Sequence, residues 1–143
     1  MENDTIRLLR ECDAGVQMGV DSITDVLDDV KDAALRDCLN ASKTEHERLR
    51  DELQHELFAR GDDGKAPNPM AKGMSKLKTG MHMLADRSDA TIADLMIDGC
   101  DMGVKSLSKY LNRFPAADDR AKALTHRLIA LEDKLSADLR AYL

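Results

Sequence analysis

Two side chains capable of acid–base or metal chemistry stand where apolar ones are expected. Asp13 and His46 both fall on the inward stripe of long amphipathic segments. A buried carboxylate or imidazole without a partner is expensive, so each needs one. If their segments pair as an antiparallel hairpin, Asp13 comes within about one helical turn of His46, close to Leu49. Two chemistries follow. An Asp13–His46 pair, or a polar layer around it, would fix the register of the helices. With Glu45 added, the same groups form a reduced metal site of Asp13, His46 and Glu45.

Other reactive residues assemble less. Met70, Met74, Met81, His82 and Met83 contain soft donors suited to Cu(I). Met70, Met74 and Met81 also fit an apolar helical stripe, where methionine is an ordinary gap-filler or an adaptable docking surface. Cys12, Cys38 and Cys100 are odd in number and contain no Cys-x-x-Cys pair, which argues against a disulfide scaffold or a zinc knuckle. They read as reduced, buried thiols, with no neighbouring cation to lower the pKa of Cys12 or Cys100. No Ser-His-Asp or Cys-His constellation can be built, and Gly61-Asp62-Asp63-Gly64-Lys65 lacks the phosphate-loop pattern. No catalytic residue is assigned.

The elements that must position these groups are long helices. Ile6, Leu9, Asp13, Val16, Val20, Ile23, Leu27 and Val30 follow three- and four-residue spacing, as do Leu35, Leu39, Ser42, His46, Leu49, Leu53 and Leu57. The spacing predicts helices over about 3–29 and 33–59, capped at Asn3 or Asp4 and joined by a tight link. Gly61 to Gly64 ends the second helix. Pro69 opens a short helix to about residue 85, with the stripe Met70, Met74, Leu77, Met81 and Leu84. A further helix begins at Ser88 or Asp89 and carries Ala93, Met96, Cys100, Gly103, Leu107, Leu111 and Phe114 before Pro115 stops it. The last runs over about 117–141 with Leu124, Leu128, Leu131, Leu135, Leu139 and Tyr142 inward. The short helix spans roughly 25 Å, enough to carry the chain back along a bundle.

The 143 residues make one domain, with hairpin 1 over about 3–60, a crossover helix over about 69–85 and hairpin 2 over about 89–142. Met18-Gly19-Val20-Asp21-Ser22-Ile23 resembles Met102-Gly103-Val104-Lys105-Ser106-Leu107, which points to an internal repeat. The second helix of each hairpin then falls into register too. Gly19 and Gly103 would let backbones approach closely. The net charge of −6 disfavours nucleic acid as a partner. The basic stretch Lys72, Lys76 and Lys78 reads as a solvated face. No apolar run reaches membrane-spanning length, and the acidic start lacks a signal-peptide pattern, so the chain reads as cytoplasmic.

Two hairpins, a crossover, the repeat and the residues Lys76-Leu77-Lys78, Met102-Gly103-Val104 and Tyr110 resemble the ferritin-like superfamily, in particular its small bacterial bundles of unassigned function. The resemblance implies an all-α, antiparallel four-helix bundle with a short extra crossover helix. Ferritin-like metal enzymes carry a Glu on each of two helices and Glu-x-x-His on the other two. This chain departs from that pattern. Lys43 stands three residues before His46, and Glu52-Leu53-Gln54-His55 turns its ends away from the seam. Glu132 is followed by Leu135. The expectation is a non-catalytic bundle without a cofactor, working as a homo-oligomer or with a protein partner. The alternative is an oxidase-type protein holding iron or manganese around Asp13 and His46.

Overall fold

The structure, a computed structural model, describes residues 3–62 and 86–143. The predicted helix over about 69–85, with its methionine stripe and Lys72, Lys76 and Lys78, lies outside the described residues. Among the described residues the fold is all-helical: α1 spans Asp4–Leu27, α2 Ala33–Ala59, α3 Asp89–Arg113 and α4 Asp119–Leu139, followed by a 3-10 turn at Arg140–Tyr142.

Each helix starts at a side chain able to accept from its own first turn. Asn3 accepts from the Ile6 N–H at 2.9 Å, Asp32 from Leu35 at 2.9 Å, Ser88 from Thr91 at 3.3 Å and Asp118 from Ala121 at 2.8 Å. These oxygens satisfy donors that no helical carbonyl can reach. The cap of α1 is thus Asn3 and not Asp4, and that of α3 is Ser88 and not Asp89. At the end of α2, Gly61 takes a φ of 76°. The Asp62 N–H then reaches the Leu57 carbonyl at 2.9 Å and the Gly61 N–H that of Phe58 at 3.0 Å. This double closure needs a left-handed residue, which glycine supplies without steric penalty.

Contacts at the helix ends fix the chain directions. At one end, Asp4 and Thr5 accept from the Ala116 and Asp118 N–H groups, at 3.0 and 2.8 Å. Arg60 reaches Asp118 at 2.8 Å there as well. At the other end, both Asp89 oxygens accept from the Lys31 and Asp32 N–H groups at 2.9 Å, and Arg87 meets Asp29 at 3.2 Å. The order is up, down, down, up. Asp62 and Asp86 therefore lie at opposite ends of the bundle. α1 packs on α2 and α3 on α4, and the two hairpins meet through α2–α4, α1–α4 and α1–α3.

The interior is two apolar clusters stacked end to end. One holds Leu8, Val16, Leu49, Leu53, Leu107, Leu124 and Leu128. The other holds Ile23, Leu35, Leu39, Ile92, Met96 and Leu135. Ile6, Leu27, Leu111 and Tyr142, read as inward, are half-buried at the edges of these clusters, whereas half-buried Leu131 belongs to neither and Glu132 turns inward in its place. Cys12 and Cys100 are buried as expected, whereas Cys38 is half-buried. Among the described residues no helix is long and apolar enough to cross a membrane.

Asp118 caps α4 and also ties it to α1 and α2. Asp118→Ala is expected to lower the unfolding free energy by about 1 kcal/mol, read as a lower urea midpoint. An unchanged midpoint would show that the cap contributes nothing.

Candidate functional site

Between the two apolar clusters lies a layer to which each helix contributes one residue: Gly19, His46, Gly103 and Glu132. The His46 side chain is fully buried, and its Nε2 lies 2.6 Å from Glu132 Oε1. Its Nδ1 lies 2.8 Å from the Ser42 carbonyl oxygen, with Ser42 Oγ at 3.3 Å. A carbonyl only accepts, so Nδ1 carries a hydrogen and donates to it. Nε2 then faces the carboxylate, and the bond requires one shared proton, as imidazolium with carboxylate or imidazole with carboxylic acid. Burial works against charging His46. The hydrogen bond to Glu132, its negative charge and the Ser42 carbonyl outweigh burial and hold the imidazole above its usual range.

The glycines make room for this pair. A Cβ on Gly19 would sit 2.7 Å from His46 Cδ2 and 2.9 Å from Nε2, closer than carbon atoms pack. A Cβ on Gly103 would meet Glu132 Oε2 at 3.5 Å, an ordinary contact. Sequence reading assigned both glycines to close backbone approach. Here the close contact is with the paired side chains, and only Gly19 is obligatory. Gly15, Gly19, Gly99 and Gly103 together line a cavity of about 30 Å³ beside the pair, enough for a single water by volume.

The repeat extends through the layer. Gly15 and Gly19 occupy the positions in hairpin 1 that Gly99 and Gly103 occupy in hairpin 2. On the second helices, Leu39, His46, Leu49 and Leu53 match Thr125, Glu132, Leu135 and Leu139. The base and the acid of the central bond are thus equivalent positions of the two halves.

The residues singled out from sequence do not converge. His46 is central, but its ring nitrogens go to Ser42 and Glu132 and leave none for Asp13. Glu45 faces solvent and meets Arg48 at 2.7 Å. Asp13 is buried on α1, where burial raises its pKa against hydrogen bonds from Gln17 and Gln54 and the charge of Arg50. Its Oδ1 is buried without a hydrogen-bond partner among the described residues. Among the described residues no group of three or more His, Cys, Asp or Glu side chains is placed to hold a metal ion.

The thiols are protonated groups. Burial, reinforced by the charge and hydrogen bond of Glu132, pushes Cys100 far up. Cys12 is pushed up to about 12 by burial, against a hydrogen bond with Thr125. The Thr125 hydroxyl donates to the Ala121 carbonyl at 2.8 Å, so the Cys12 thiol, 3.0 Å away, is the donor to Thr125. Neither is a nucleophile near neutral pH.

Glu132 enters the sequence reading only as a Glu-x-x-His lacking its histidine, and not as an inward residue. Its equivalence to His46 in the repeat was the available signal. No protein-family model matches the chain, and no curated protein or solved structure matches it either.

Two outcomes follow. Gly19→Ala is expected to destabilise by about 1–3 kcal/mol, because His46 is pinned at both nitrogens and cannot yield. Gly103→Ala is expected to be neutral or to stabilise by up to about 1 kcal/mol, through helix propensity. Equal urea midpoints for the two variants would refute the steric assignment. The raised pKa of His46 fixes a sign for pH dependence. Its contribution is complete below the unfolded value of about 6.5 and is lost as pH rises through the higher folded value. Urea midpoints should fall as pH rises above about 6.5, and the fall should flatten in Glu132→Gln.

Proposed function

We propose that this chain is a non-catalytic ferritin-like bundle that acts by protein contact, in the first place by association with itself. The ferritin-like reading is supported by the up-down-down-up order, by the internal repeat and by the end of α2 and the start of α3 lying at opposite ends of the bundle. The non-catalytic reading rests on one observation. The interior cavity is about 30 Å³ and its lining imidazole and carboxylate are bonded to each other. Pockets that bind small molecules are typically some 300–1,000 Å³. A substrate has no room inside, so the outer helix faces carry the function. Fold likeness by itself says little about function, and this reading does not lean on it.

Sedimentation equilibrium across micromolar concentrations tests the reading. Reversible association is expected, with no uptake of Fe(II) or Mn(II) by the purified protein. A strict monomer would overturn the association reading. Stoichiometric metal uptake lost in His46→Gln would replace the non-catalytic reading by a metal-binding one.

A further inference from the structure

On the outside of the bundle, α2 and α4 leave an open groove of about 810 Å³, far larger than the interior cavity. Its apolar lining comes from Ala41 on α2, from Ala130, Leu131 and Leu135 on α4 and from the ring of Tyr142. Ala41 and Ala130 are small and exposed, so a facing helix can come close at those two positions. The charged residues around them are Glu45, Arg127, Lys134 and Asp138, two of each sign. Lys134 meets Asp138 at 2.6 Å, and Arg127 meets Glu52 at 2.6 Å. The patch is therefore neutral on a chain of net charge −6. On α3, by contrast, Asp94, Asp98 and Asp101 follow one another along an exposed stripe.

We infer that this groove is the contact face of a symmetric dimer and that its occupant is the same groove of a second copy. The inference rests on the self-association reading above and names its surface. Two acidic molecules repel over most of their area, and they approach at least cost through a patch whose charges cancel. A two-fold contact places one surface against itself, so that surface must carry both signs to be self-complementary. Glu45 and Asp138 of one copy can then face Arg127 and Lys134 of the other. A uniformly basic or acidic partner would instead select a face of the opposite sign.

The test uses the full chain and the variant Ala130→Glu. Position 130 is exposed on a helix, and glutamate is a good helix former, so circular dichroism should be unchanged, as should the urea midpoint at concentrations where both proteins are monomeric. Half-buried Cys38 borders the groove while Cys12 and Cys100 are buried, so maleimide labelling reports on Cys38. Wild-type protein is expected to dimerise by light scattering, with Cys38 labelling slowed as concentration rises. Ala130→Glu should weaken the dimer at least tenfold and restore fast labelling. A dimer unaffected by Ala130→Glu, with Cys38 reactive throughout, would overturn the groove assignment while leaving self-association standing. A monomer with fast labelling at every concentration would overturn both. A monomer whose Cys38 is protected regardless of concentration would show the groove covered from within its own chain, and would also overturn the second-copy assignment.

Discussion

One hydrogen bond, from His46 on α2 to Glu132 on α4, governs the middle of this bundle. Removing either partner strands a charge or a lone pair where water cannot solvate it, typically a loss of some 3–5 kcal/mol. Leucine at both positions could serve stability as well, so the pair's distinctive contribution is to specify arrangement. It forms only when α2 and α4 meet at one level, with the two apolar clusters on either side. Either cluster alone would tolerate a helix sliding by a turn, since leucine fits leucine in several registers. The acid and the base fit in one.

The pair also explains features that look unrelated to it. Gly19 lies against the imidazole and admits no Cβ. Gly103 stands at the matching place in the second hairpin against the carboxylate, under less pressure. The pseudo-symmetry is thus one of position and not of chemistry. Equivalent sites on α2 and α4 hold complementary side chains, as a bond between two halves of one chain requires. Cys100, kept protonated by burial and by Glu132, borders this small polar layer from the second apolar cluster.

The existence of the four described helices is legible in the sequence because it rests on local signals. Asn3, Asp32, Ser88 and Asp118 are short oxygen-bearing side chains standing just ahead of amphipathic runs, and Gly61 follows one. The phase of α4 is not legible. Leu128, Leu131, Leu135 and Leu128, Glu132, Leu135 both obey three- and four-residue spacing, and leucine is the better inward residue on its own merits. Only His46, facing that level from another hairpin, decides for glutamate. The same non-local contact separates Asp13 from His46. Their proximity along one hairpin favours a pair, yet the base is taken by an acid 86 positions away. Glu45 differs again: it neighbours His46 in the chain, but one residue along a helix turns the side chain to solvent.

The bundle is closed at its centre by its own acid and base, and the register of its helices depends on His46 and Glu132 acting as one unit. The most direct measurement is a double-mutant cycle with His46→Leu, Glu132→Leu and both together, read from urea unfolding at neutral pH. The account predicts strong coupling: each single variant loses several times more stability than the partner substitution adds to it. Losses that simply add, with a coupling energy below about 0.5 kcal/mol, would contradict it.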